Sequence, residues 1–296
     1  MTAIKTSSLT KYYGKSRGII DINLTVEKGD FFGFIGPNGA GKSTMIRTLL
    51  GLISPSEGQA EIFGRNICSN KDKILELVGY MPSEANFYRN MRVCDVITLS
   101  ASLRRRDCTA EAKRLCERLE LDTKKKISEL SLGNRKKVSV VCALQHKPEL
   151  CVLDEPTSGL DPLMQREFYA ILEERNKEGA AIFLSSHILS EVQRYCRHAA
   201  VIRDGRLLVT DSIENLGHTG AKRVTISGIK EPPALKDIRD IKVNGDTISF
   251  LYEGRPDILL GTLASLSLTD VNITEPDLEE IFMHYYTKED KQYDTL

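Results

Sequence analysis

The chain has no excess of charge: 41 Lys and Arg residues balance 41 Asp and Glu over 296 residues. A zero sum supplies no field for a polyanion, so nucleic acid is not an expected partner. No stretch approaches the roughly 18 consecutive apolar residues of a bilayer span. The opening MTAIKTSSLTKYYGK lacks the apolar segment of a secretory leader. The seven cysteines form no C-x-x-C pair and have no histidines at metal-ligand spacing. An odd number in a chain of this size points to free thiols in a reducing compartment rather than a disulfide frame. Internal repeats, low-complexity tracts and sustained heptads are also missing. These absences predict a soluble, cytoplasmic protein with one large domain and a small one.

What is present alternates between short apolar runs and longer segments of helical period, the pattern of an α/β fold. FFGFIG (31–36), LCVLDEP (150–156) and AAIFLSSH (180–187) are continuous apolar runs, as expected of parallel strands buried on both faces. Helices are predicted over about 41–50 and 162–177. Residues 1–30 and 57–67 alternate polar with apolar and predict antiparallel strands beside the parallel core. Residues of about 85–147 are predicted to be mostly helical. Their basic runs 104–106, 124–126 and 135–137 are expected to be solvated faces. A polar linker (216–222) separates a domain over 1–215 from a small α+β domain over 223–296. In the latter, Asn244-Gly245 signals a hairpin, a helix is expected over about 257–266, a strand over 271–274, and a last helix after Pro276.

The chemistry concentrates in GPNGAGKST (36–44), which fits the phosphate-loop pattern between a predicted strand and a predicted helix. Gly36, Gly39 and Gly41 let the backbone curl so that its N–H groups converge on a phosphate chain. The helix start adds orphan donors and the positive end of its dipole. Lys42 brings an ammonium to the β- and γ-phosphates, Ser43 a hydroxyl to Mg²⁺, and Asn38 and Thr44 complete the nucleotide-binding loop. LCVLDEP ends a buried strand in two acids. At such a strand end Asp154 suits Mg²⁺, and Glu155 can polarise a water for attack on the γ-phosphate.

With these motifs in place, residues 1 to about 215 resemble the ATP-binding subunits of ABC transporters. DEPTSGLDP continues from the acidic pair into what resembles the D-loop, with Asp161. LSLGNRKKV (130–138) resembles the signature motif, although Leu132 and Asn134 replace its usual glycine and glutamine. The resemblance implies that Ser131 and Gly133 bind the γ-phosphate held by the opposite subunit. It further implies that His187 is the switch histidine, that Tyr13 stacks on adenine, and that GYMPSEANFY (79–88) is the Q-loop. There Ser83 takes the aligned position, and Glu84 beside it is expected to reach Mg²⁺ through water.

The fold implied is a P-loop NTPase of ABC type, with a mixed sheet core, an antiparallel β subdomain and a helical subdomain. Its catalytic set is Glu155, His187 and Lys42. ATP and Mg²⁺ are the implied ligands. A separate transmembrane permease and a second ATPase subunit, identical or not, are the implied partners, with the protein peripheral on the inner face of the membrane. DLEEIFMHYY (277–286) is similar to the ending of single-cassette exporter ATPases. A soluble ABC ATPase acting on DNA or ribosomes is disfavoured by the single phosphate loop and the missing coiled coil. A regulatory or dimerising role for 223–296 stays open.

Overall fold

The computed structural model describes residues 1–84, 86–104, 106–217 and 221–276, which fall into two compact units, Met1–Asp211 and Ser212–Leu296. The helix expected after Pro276 lies outside the described residues.

The first unit begins with antiparallel strands β1 (Thr2–Tyr13), β2 (Ser16–Ile22) and β3 (Thr25–Glu27). Next come β4 (Phe31–Ile35), α1 (Lys42–Leu49), β5 (Glu57–Ile62), β6 (Arg65–Asn66), α2 (Lys71–Leu77) and β7 (Val78–Met81). The helical region holds α3 (Val93–Leu103), α4 (Thr109–Arg118) and α5 (Leu132–Leu144). Then follow β8 (Leu150–Asp154), α6 (Pro162–Lys177), β9 (Ala181–Ser186), α7 (Leu189–Tyr195), β10 (His198–Arg203) and β11 (Arg206–Ser212).

One sheet runs β2-β1-β5-β6, with β3 also paired to β1; its pairs are antiparallel. The other runs β11-β10-β4-β9-β8-β7, and from β10 to β7 its pairs are parallel. Every residue of β4, β8 and β9 is buried, which is why these segments carry unbroken apolar runs. Phe183 stacks on Phe32 with centroids 5.9 Å apart and lies 5.4 Å from Phe34, fixing β4 against β9. Because β9 lies between β4 and β8, the segments leaving all three strands emerge together at their carboxyl ends. That edge is where open α/β sheets bind ligands.

In the helical region the basic run 124–126 is exposed as expected, but the other two runs each hold a residue that is not. Lys136, in the middle of 135–137, is only 1% exposed. Arg104 donates from Nη1 to the Leu75 carbonyl at 2.6 Å, and burial pulls its guanidinium below the ordinary range.

His146, just beyond α5, is buried and donates from Nε2 to the Val78 carbonyl at 3.3 Å. Burial, helped by the charge of Arg104, pulls its pKa down to about 3. A histidine depressed in the folded state is protonated more readily in the unfolded chain. Its contribution is therefore complete above the ordinary histidine pKa and is lost progressively as pH falls toward 3. We expect the stability of the wild-type chain to drop between pH 6.5 and 5 by up to about 1.4 kcal/mol per pH unit from this residue alone. His146→Gln should flatten that slope in urea titrations. An unchanged slope would place the acid sensitivity elsewhere.

The second unit holds α8 (Ile213–Gly217), β12 (Lys222–Ser227), β13 (Ile238–Asn244), β14 (Thr247–Tyr252), α9 (Pro256–Ala264) and β15 (Asp270–Thr274). Its antiparallel sheet runs β13-β14-β12-β15. The expected hairpin is present: Gly245, at φ +61°, follows Asn244 in the tight turn between β13 and β14. Leu259 and Leu263 of α9 join Val224, Ile226, Ile248 and Phe250 in a separate small core.

Candidate functional site

The loop from Gly36 to Gly41 joins β4 to α1, and the shape of its backbone depends on glycine. Gly39 and Gly41 have φ of +82° and +111°, where a side chain is strained. At Gly36 an added Cβ would stand 2.3 Å from the Ile202 carbonyl oxygen. Lys42 is 5% exposed and folds back over the loop, donating to the carbonyls of Gly36 at 2.7 Å and Pro37 at 3.1 Å.

Above the loop lies a cavity of about 340 Å³ lined by Asn38, Gly39, Gly41, Lys42, Ser43 and Thr44. Glu155 closes one side. Ser83 reaches the cavity from the segment after β7, whereas Glu84 is exposed and is not part of the lining. The cavity is therefore met by the aligned serine and not by its acidic neighbour. Arg17 and Gly18 also line it. Neither stands in a motif, and only the β1–β2 hairpin brings them there. Tyr13, at the end of β1, is 45% exposed and lies beside Gly18, whose added Cβ would come within 3.1 Å of its ring.

The acidic pair leaves β8 in two different environments. Asp154 is 1% exposed; its Oδ1 accepts the Ser185 hydroxyl at 2.7 Å, and its Oδ2 is buried without a hydrogen-bond partner. A buried carboxylate oxygen with nothing to bind is costly. The orphaned Oδ2 of Asp154 and, in the cavity lining, the Ser43 hydroxyl are oxygen donors of the kind a hard cation such as Mg²⁺ takes, although Asp154 itself does not line the cavity. The Asp154 charge is felt at Tyr80, whose phenol is pushed up by burial first and by Asp154 second.

Glu155 adopts a left-handed backbone, φ +46°. Its N–H is shared between the Ser185 carbonyl at 3.2 Å and the Ser185 hydroxyl at 3.1 Å. Its carbonyl accepts from Lys136 Nζ at 3.0 Å. The carboxylate is gripped from two sides, with Oε1 3.1 Å from Lys42 Nζ and Oε2 2.7 Å from His187 Nδ1. An ionised carboxylate only accepts, so His187 carries its proton on Nδ1. Phosphate-loop lysine, acid and histidine thus form one chain of contacts.

The remaining expected residues lie apart from the cavity lining. Ser131 caps α5, its hydroxyl accepting the Asn134 N–H at 3.3 Å. Gly133 sits so close to Gly159 that an added Cβ would approach the Gly159 carbonyl to 2.9 Å. Asp161 caps α6 ahead of Pro162, accepting from the N–H groups of Leu163 and Met164 at 3.0 Å each. The carboxylate expected to meet nucleotide is in this structure occupied with a helix start.

Comparison with known proteins supplies an independent finding. The family model described as "ABC transporter" matches residues 19–158. The bacitracin transport ATP-binding protein BcrA of Bacillus licheniformis is 35% identical, over 95% of this chain and 96% of that protein. The linearmycin resistance ATP-binding protein LnrL of Bacillus subtilis is 28% identical, over 95% of this chain and 97% of its own length. A solved structure described as the ATP-binding subunit of an ABC transporter superposes with a TM-score of 0.68 at 28% identity, covering 73% of this chain and 92% of that one.

Proposed function

Since the chain belongs to the ATP-binding subunits of ABC transporters, binding and hydrolysing ATP and working with a separate membrane partner, we propose the following division of labour among its residues. The loop 36–44 cradles the triphosphate, with Lys42 leaving the Gly36 and Pro37 carbonyls for the β- and γ-phosphates. Tyr13 stacks on the adenine, and Ser83 faces the γ-phosphate end of the cavity. Ser43 and Asp154 would hold Mg²⁺, which would supply positive charge to stabilise the phosphate oxygens. Glu155 takes the proton of the attacking water, and His187, hydrogen-bonded to Glu155, orients the carboxylate and meets the γ-phosphate. Little covalent work is left to the protein; positioning and electrostatic stabilisation account for most of the rate.

The observation that carries this reading is the linked contact Lys42–Glu155–His187 at the mouth of the phosphate loop. Ser131 and Gly133 have no place in the same cavity. They stand at the start of a helix, where N–H donors and the dipole suit a phosphate on another molecule. The nucleotide is accordingly sandwiched between two subunits, with closure favoured while the γ-phosphate bridges them and weakened once it is lost. No helix among the described residues is long and apolar enough to cross a membrane, so the second partner contributes the path. We place the chain on the inner face of that membrane. Similarity across 95% of the chain to a protein named for bacitracin transport supports export of a peptide-antibiotic or similar amphiphilic cargo.

Sizing in the presence of Mg²⁺ and a non-hydrolysable ATP analogue tests the sandwich. The wild-type chain should pair. Ser131→Glu, which sets a negative charge against the partner's γ-phosphate, should bind the analogue through its own loop but remain single. A wild-type chain that binds analogue and never pairs would refute the split site.

A further inference from the structure

Lys136 is the most deeply buried ammonium near the site, and the mechanism above gives it no part. It lies five residues after Ser131 on α5, 1% exposed, with Nζ 3.0 Å from the Glu155 carbonyl oxygen. Removing a lysine from water is expensive, and here burial pulls its pKa below the ordinary lysine range, while the charges of Asp154 and Glu155 oppose that shift. An apolar side chain of similar volume would fill the space at lower cost. What the ammonium adds is a donor aimed at one backbone atom.

That atom belongs to the strained residue of the site. Glu155 occupies the left-handed region at φ +46°, which costs any residue other than glycine. Pro156 follows, and a residue before proline is pushed toward extended backbone. The unusual conformation must therefore be held from outside. Ser185 holds the N–H side of Glu155, and Lys136 holds the carbonyl side. With both peptide groups fixed, the side chain leaves the backbone toward Lys42 and His187. Released at the carbonyl, the residue relaxes toward extended backbone and the carboxylate swings off the attacking water.

We infer that Lys136 is a positioning residue for hydrolysis, holding Glu155 in the backbone conformation that aims its carboxylate at the γ-phosphate water. The inference rests on the proposed role of Glu155 as base. It also places the support of a chain's own base on the helix whose first turn, Ser131 and Gly133, faces the partner's nucleotide.

The test is a double-mutant cycle in the full-length chain with Lys136→Met and Glu155→Gln, reading kcat, KM for ATP and affinity for a fluorescent ATP analogue. Lys136→Met should lower kcat at least about tenfold with KM and analogue affinity within about threefold, since positioning of the base is felt in the chemical step. In the Glu155→Gln background the same substitution should change the residual rate by less than about twofold, because a residue acting through Glu155 has nothing left to act on. Unchanged kcat in folded Lys136→Met, or an equal loss in both backgrounds, would overturn the inference. A Glu155→Gln protein with near-normal kcat would overturn the base assignment itself, a different failure. If Lys136→Met does not fold, Lys136→Gln keeps the site polar but falls short of the carbonyl; it should show the same kcat loss, and full activity in it would equally overturn the inference.

Discussion

Glu155→Gln should slow ATP turnover by at least about a hundredfold, the scale of general-base catalysis, while ATP affinity stays within about threefold of wild type. The substitution exchanges one carboxylate oxygen for an amide and keeps the shape of the side chain, so the left-handed backbone and its supports at Ser185 and Lys136 persist. What is lost is the capacity to accept a proton, together with the negative charge 3.1 Å from Lys42 Nζ. The second loss favours binding, because Lys42 is then freed from an ion pair that competes with phosphate. Binding and turnover should separate, with the variant accumulating as an ATP-loaded pair. Single-turnover hydrolysis alongside equilibrium binding of a fluorescent nucleotide checks both halves. Near-normal hydrolysis would remove Glu155 from its role.

The parts of this site legible in the sequence are those where one backbone demand selects one residue type. Gly36, Gly39 and Gly41 are such positions: one faces a carbonyl 2.3 Å from its would-be Cβ, and two have positive φ. The buried strands were equally plain, because parallel strands covered on both faces must be apolar throughout. The strand Val78–Met81 was not. It has four residues, and Gly79 is there because the Ala143 carbonyl would stand 2.2 Å from an added Cβ. So short a strand with a glycine inside carries no periodic signal.

Lys136 is hidden in the sequence for a different reason. Three consecutive basic residues suggest a wet face, but in α5 Lys136, Val140, Ala143 and Leu144 share one buried stripe. Helical spacing held that signal, and composition concealed it. Arg17 and Gly18 reach the cavity only through the register of the β1–β2 hairpin, and no local pattern encodes a register that long-range pairing decides. Glu84 suggests a metal contact because it is acidic and stands beside the position aligned with the Q-loop. The backbone after Met81 instead turns Ser83 to the cavity.

Asp154→Asn should lower turnover by about a hundredfold or more, in keeping with several kcal/mol of charge stabilisation from a bound metal, yet leave the metal-free protein as stable as wild type or more so. The two outcomes have one cause. Asp154 is 1% exposed, and Ser185 satisfies only one of its oxygens; Oδ2 is buried without a hydrogen-bond partner. In the absence of a cation the folded chain bears the cost of burying that charge. An asparagine keeps the Oδ1 acceptor for the Ser185 hydroxyl and puts an uncharged amide where Oδ2 stood, so the fold sheds a buried charge, less the attraction that charge has for Lys136, and the site loses an ionic ligand. Melting in EDTA should therefore show an unchanged or higher midpoint for the variant. The rise in midpoint that Mg-ATP produces in the wild type, a measure of preferential binding to the folded state, should shrink in the variant toward the value given by ATP with EDTA. A variant that melts well below wild type in EDTA would make Asp154 a residue that holds the fold together, and one that keeps the full Mg-ATP shift would take the metal site away from the end of β8.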